Sequence, residues 1–219
     1  MKKYFYIAFC LILLPGFYFS QKKKTEPEKK QKVSVIEVKH ANSLEYDKRL
    51  GVNAKRLIGD VICEHEGAVL RCDSVYLYDE KNMDAFGHIS VVKGDSIFVY
   101  GDKMHYEAAT KLATLQDNVK CIEKDMTLTT NIMTYDVKNG IANYYDGGTI
   151  VNKQNTLVSK IGHYYSATKE VAFKYDVELK NKEYTMKSDT LRYNTGTKIA
   201  YFLGPSIIIR EDDYIYCEN

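Results

Sequence analysis

One spacing, 29 residues, constrains this chain more than any other feature. Asp73, Asp102, Asn131, Lys160, Asp189 and Glu218 follow one another at that interval five times without insertion. The columns around this ladder keep its phase. Three residues before it stand Leu70, Val99, Leu128, Leu157, Met186 and Ile215, all apolar. Ten before it stand Cys63, Val92, Cys121, Ile150, Leu179 and Ile208. One before it stand the small residues Cys72, Gly101, Thr130, Ser159, Ser188 and Cys217. Four after it come Leu77, Tyr106, Tyr135, Tyr164 and Tyr193, and eleven after it Asp84, Ala113, Ala142, Val171 and Ala200. A fixed period of this length marks units that stack and bury their apolar faces on one another. The LxxLxLxxN pattern of leucine-rich repeats is missing.

The units are β-structure. Segments such as VICEHEGAVLRC, ISVVKGDSIFVYGD and VELKNKEYTMKSD read as strand, polar turn, strand. No stretch holds a helical period for long. Nineteen tyrosines, no tryptophan and three prolines fit strands with few irregular loops. Each unit is read as two antiparallel strands of about eight to ten residues.

The columns also predict a bend. Side chains alternate faces along a strand. The apolar columns three before and four after the ladder have opposite parity, so either both faces are buried or the strand kinks near the ladder residue. A small residue beside it is what a bulge needs. Strands bent at one place in every repeat would wrap round an elongated apolar interior. The fold class expected is all-β, a repeat-built jelly-roll of bent, stacked antiparallel strands. Cys63, Leu70, Val92, Val99, Cys121, Leu128, Ile150, Leu157, Leu179, Met186 and Ile208 are then candidates to line that interior: a groove for long acyl chains if the walls splay, a plain core if they close.

Residues 1–20 read as a secretory signal peptide: Lys2 and Lys3, an apolar run from Tyr4 to Leu14, the breakers Pro15 and Gly16, and Ser20 before the cut. Tyr18 is larger than the residue usual three before a cut, and the other reading of the segment is an uncleaved N-terminal anchor. Residues 21–32, QKKKTEPEKKQK, are a charged linker, and residues 33–219 the repeat domain. The whole chain has 31 Lys+Arg and 29 Asp+Glu; losing Lys2 and Lys3 leaves the charges balanced. That gives no basic excess to draw nucleic acid. The chain ends inside a sixth unit, which favours end-to-end strand addition or a longer parent chain truncated at its C-terminus.

Four cysteines follow the signal segment: Cys63, Cys72, Cys121 and Cys217. In an exported protein Cys63 and Cys72 have two readings: a disulfide across a hairpin, if residues 67 and 68 form its loop, or two small apolar core residues. Signs of chemistry are lacking. His40, His65, His88, His105 and His163 have no partner at metal-ligand spacing, and Glu64-His65-Glu66 reads as a solvated turn. No GxSxG, GxxxxGK[ST] or HExxH occurs. A calcium rank would not tolerate Lys160, so the ladder reads as structural. Neither enzyme activity, metal nor cofactor is expected.

Several segments resemble the OstA-like, or LptA-like, family of lipopolysaccharide-transport proteins: DNV at Asp117–Val119, GDKMHY at Gly101–Tyr106, TTNIMTYD at Thr129–Asp136, SDTLRYN at Ser188–Asn194, and the closing IYCEN. GGTIVNKQNTLVSKIGHYY is similar to the form in Bacteroidetes members. Asn131 and Lys160 depart from the aspartate usual in the motif. The resemblance implies a periplasmic jelly-roll that binds the lipid A acyl chains of lipopolysaccharide. It also implies that the protein docks end to end with itself and other Lpt-type jelly-rolls, bridging inner and outer membranes for outer-membrane assembly. No catalytic residue comes with it. Two other readings are a purely structural exported β-repeat scaffold and a membrane-anchored, LptC-like jelly-roll.

Overall fold

The computed structural model describes residues 35–46, 54–78 and 81–218. The signal segment and linker expected over residues 1–32 lie outside them. The described residues all fall in one compact unit, Val33–Asn219. Its strands are β1 (Glu37–His40), β2 (Ser43–Tyr46), β3 (Lys55–His65), β4 (Ala68–Tyr78), β5 (Asn82–Lys93), β6 (Ile97–Glu107), β7 (Leu112–Glu123) and β8 (Met126–Asp136). They continue as β9 (Ile141–Tyr144), β10 (Gly148–Val151), β11 (Thr156–Ser159), β12 (Ile161–Tyr165), β13 (Glu170–Lys180), β14 (Thr185–Asn194), β15 (Ala200–Arg210) and β16 (Asp213–Cys217). All belong to one sheet of antiparallel pairs in which sequence neighbours are mostly spatial neighbours. The described residues are all-β, as the periodicity requires.

The strands that carry the ladder residues turn over at the predicted place. On β4 the buried residues are Leu70 and Cys72, then Val75 and Leu77. On β6 they are Val99, then Met104 and Tyr106. Parity changes at the ladder residues Asp73 and Asp102, so one strand serves two walls. The cause is a two-residue bulge on the neighbouring strand. Gly59–Asp60 oppose Asp73, Gly87–His88 oppose Asp102, Asp117–Asn118 oppose Asn131, and Tyr175–Asp176 oppose Asp189. All eight bulge residues have positive φ, between 44° and 80°. The bulged strands keep their parity, burying Leu57 and Val61 on β3 or Ala85 and Ile89 on β5; with two residues opposite one, the ladder strand is one residue shorter there and its side chains change faces.

The small-residue column fastens this bend. Ser159 Oγ donates to the carbonyl of Ile161 at 3.0 Å, and Ser188 Oγ to that of Thr190 at 3.1 Å. Thr130 Oγ1 donates to Ile132 at 3.4 Å, and Cys72 Sγ to Ser74 at 3.5 Å. Each of these bonds spans the ladder residue, tying the small side chain to the carbonyl two positions on. The long strands run about two residues longer than expected because they continue through the bend, except in the fourth repeat. There β9 and β10, and β11 and β12, are separate pieces. The buried ring of Tyr144 fills that break: a Cβ on Gly148 would lie 2.6 Å from it, and one on Gly162 would lie within it. Its hydroxyl donates to the buried Ser159 Oγ, 2.6 Å away.

The two walls enclose two clusters of buried residues. The first runs from Ile36 to Met133 and includes Leu57, Val61, Val75, Ala85 and Ile89. The second holds Tyr144, Leu157, Phe173, Val177 and Leu191. Half-buried Leu128 packs against both.

Candidate functional site

The first wall consists of the strand segments that meet at the hairpin turns. Across it the register joins the two apolar columns into a single row. Starting from Val38, the row passes through Cys63, Leu70, Val91, Val99, Cys121 and Leu128, each residue paired with the next. It continues through Ile150, Leu157, Leu179, Met186 and Ile208 to Ile215. Twelve strand-to-strand steps of about 4.8 Å make a track of about 55–60 Å along the sheet. The middle is buried or half-buried, whereas Val38 is 40% and Ile215 57% exposed at its ends.

Ten of the eleven residues expected to line the interior are on this track. Val92 is not. The bulge in β5, Gly87–His88, comes one residue earlier than an unbroken 29-residue spacing would put it. Val91 therefore takes the inward place, between Leu70 and Val99, while Val92 pairs with Val69 and Phe98 on the other face. A three-residue turn, Gly94–Ser96, absorbs the displaced residue and restores the phase in β6.

The hairpin register also sets where the cysteines lie. Glu66 and Gly67, both with positive φ, form a tight two-residue turn rather than residues 67 and 68. Cys63 then faces Leu70, and Cys72 faces Val61. The two thiols are diagonal neighbours on the inner face and both are free. Burial pushes the Cys63 and Cys121 thiols up to about 11, and Cys72 to about 12.

The second wall carries a row of different composition. Leu77, Met83, Tyr106, Ala113 and Tyr135 pair in succession, followed by Ala142, Tyr164, Val171, Tyr193 and Ala200. From Tyr106 onward, tyrosines alternate with smaller residues, leaving a notch between successive rings. Between these rows lies a cavity of about 300 Å³, lined chiefly by apolar atoms of Cys63, Leu70, Val91, Val99, Cys121, Ala113 and their neighbours. Burial raises the hydroxyls of Tyr106, Tyr135 and Tyr164 above the ordinary tyrosine value.

The mouth of the cavity is crossed by contacts that the sequence did not disclose. His65 is not a solvated turn residue but the half-buried end of β3. Its Nδ1 donates to the Val35 carbonyl at 3.3 Å, so Nε2 accepts from the Tyr106 hydroxyl at 2.9 Å. One repeat on, Lys93 Nζ lies 5.7 Å from the centre of the Tyr135 ring. Lys111 pairs with Glu66 on the same rim. The His65 and Lys93 contacts each join a first-wall residue to a tyrosine one repeat further along. The only signal for them in the sequence is the tyrosine column.

The ladder residues lie outside, at the bend. His88 Nδ1 donates to Asp73 Oδ2 at 2.8 Å, and Asn118 Nδ2 to Asp102 Oδ2 at 2.6 Å. Asp73 holds the His88 imidazole above its usual range. Among the described residues no three His, Cys, Asp or Glu side chains group as metal ligands do. No helix among them is long and apolar enough to cross a membrane.

The model of the OstA-like protein family matches residues 30–189. No curated protein sequence matches the chain. Among solved structures the chain is similar to LptH of Pseudomonas aeruginosa, the LptA-homologous periplasmic component of that organism's lipopolysaccharide transport device. The identity is 14% and the TM-score 0.46, over 56% of this chain and 94% of that one.

Proposed function

This chain belongs to the OstA-like protein family, and from that premise we propose that it is a non-catalytic, exported periplasmic protein of lipopolysaccharide transport and outer-membrane assembly. Its interior takes the acyl chains of lipid A. Its sheet ends dock on Lpt-type jelly-rolls or on further copies of itself, forming a bridge between the membranes. The observation that carries this reading is the unbroken apolar track from Val38 to Ile215. A core needs only to be dry in the middle. A track whose apolar residues continue to exposed ends suits a ligand that enters and leaves along it.

The test is photocrosslinking from Leu128, at the junction of the two buried clusters, in cells that produce lipopolysaccharide. A lipopolysaccharide adduct at Leu128, and none from the outward Val92, is expected. Absence of an adduct at Leu128, together with no binding of a fluorescent acyl probe by the purified protein, would favour the scaffold reading instead.

A further inference from the structure

The single slip in the repeat places a charge at the cavity mouth. Five residues beyond the second bulge residue, the inward position on the rim is His65 in β3, Lys93 in β5 and Glu123 in β7. Had the β5 bulge kept the 29-residue spacing, that position would be Gly94. The early bulge at Gly87–His88 brings Lys93 there instead.

Lys93 is unlike the other cations of the mouth. Lys111 is ion-paired with Glu66, and His65 is committed to Val35 and Tyr106. The Lys93 ammonium lies over the face of Tyr135; it acts on the Glu66 carboxylate only at longer range, and no carboxylate among the described residues lies within ion-pair distance of it. Glu123, one position further along the rim, has no ion-pair partner among them either. An ammonium over an aromatic face, above an apolar cavity, can accept an anion without first losing a carboxylate partner. The cavity volume of about 300 Å³ corresponds to about ten methylene-sized groups, at roughly the 30 Å³ share of a liquid water molecule.

We propose that Lys93 is the headgroup anchor of this cavity, receiving the anionic head, carboxylate or phosphate monoester, of one alkyl chain whose tail lies between the Val91–Val99 and Ala113–Tyr135 stretches of the two walls. This rests on the reading of the interior as an acyl-chain site.

The experiment is displacement of a fluorescent acyl probe from the full chain by decanol, decanoate, decyl phosphate and decyltrimethylammonium. At least one of the two anions is expected to compete about tenfold better than decanol, and the cation no better than decanol; which anion does so separates carboxylate from phosphate. Lys93→Gln should abolish that preference while leaving decanol unchanged. Lys93→Arg should keep it, as should Lys120→Gln on the outer face. An anion preference that survives Lys93→Gln, or parity between anions and decanol in the unaltered protein, overturns the assignment but leaves the acyl site standing. Loss of decanol competition in Lys93→Gln, with an unchanged melting curve, also overturns it, because the lysine would then be shaping the cavity. If no decyl compound competes with the probe, the acyl-site reading fails and this assignment with it.

Discussion

Lys160 Nζ lies 2.7 Å from Asp176 Oδ2. At the equivalent contacts of other repeats the ladder residue is the acid: Asp73 accepts from His88, and Asp102 from Asn118. The exchange at Lys160 reverses the charge of the contact and keeps the contact itself. At Asp73, Asp102 and Lys160 the ladder residue is therefore a clasp between a turned-over strand and the next bulge, and its chemistry can be inverted pairwise. Lys160→Asp should lower the melting temperature by about a degree or two, since the pair is exposed and screened. The double variant Lys160→Asp, Asp176→Lys should recover it, and added salt should shrink the difference. Thermal unfolding at two salt concentrations checks this.

The crowding around Tyr144 makes a larger prediction. Gly162→Ala forces a methyl group into the Tyr144 ring, and overpacking of this kind costs about 1–3 kcal/mol. Tyr144→Ala should cost about 3–5 kcal/mol by leaving a cavity. Combined, the two should cost much less than their sum, because the added methyl group then enters empty space. Denaturant unfolding of the three variants is the measurement.

The register slip in β5 can be tested by a pair of neighbouring substitutions. Val91→Ser removes apolar surface from the inner track and should cost on the order of 1–2 kcal/mol. Val92→Ser, on the other face, should stay within about 0.5 kcal/mol. Equal costs, or the reverse order, would show that the 29-residue spacing holds through β5 and that Val92 faces inward after all. Chemical denaturation midpoints decide it.

Alkaline pH should destabilise the fold through its thiols. Cys63, Cys72 and Cys121 titrate at about 11, 12 and 11 when folded, against about 8.5 when unfolded. Their raised values mean that the unfolded chain loses protons first as pH rises. The stability they contribute is complete below about pH 8.5 and is lost progressively towards pH 11. Unfolding midpoints should fall between about pH 8.5 and 10, before most tyrosines titrate. The Cys63→Ala, Cys72→Ala, Cys121→Ala variant should show a flatter slope. In the native protein at pH 8, exposed Cys217 should be alkylated by a maleimide well before the other three.

The track and the bend were legible because both are properties of columns. A 29-residue period places Leu70 and Val99 alike, and the parity clash between Leu70 and Leu77 can only be met by a turned-over strand. Val92 was misplaced because a bulge that slips by one residue leaves the column apolar: Val91 and Val92 are the same residue type, and only the backbone distinguishes them. The hairpin register stayed open in the sequence for a related reason. Gly67 could occupy either place in the Glu66–Gly67–Ala68 turn, and a shift of one in the loop moves the pairing of Cys63 by two. His65, Lys93 and Tyr144 were illegible as a class. Their partners sit on the opposite wall or in the break of the fourth repeat, about 41 residues away for His65 and Tyr106, where no periodic rule reaches. Gly148 and Gly162 were the one available clue to Tyr144, since glycine within a strand often marks a close approach.

The 29-residue period sets how the molecule can change size. Every unit adds two strands, so whole units can be added or deleted without moving any residue off its row. Reach along the stacking direction then varies in increments of about 10 Å. A change of one or two residues has no such freedom. It must be absorbed locally, as Gly94–Ser96 absorb it in β5, or it turns the wall inside out. Whatever distance such a protein has to span, whole-repeat duplication is the coarse adjustment open to it, and slips like the one that presents Lys93 are the fine one.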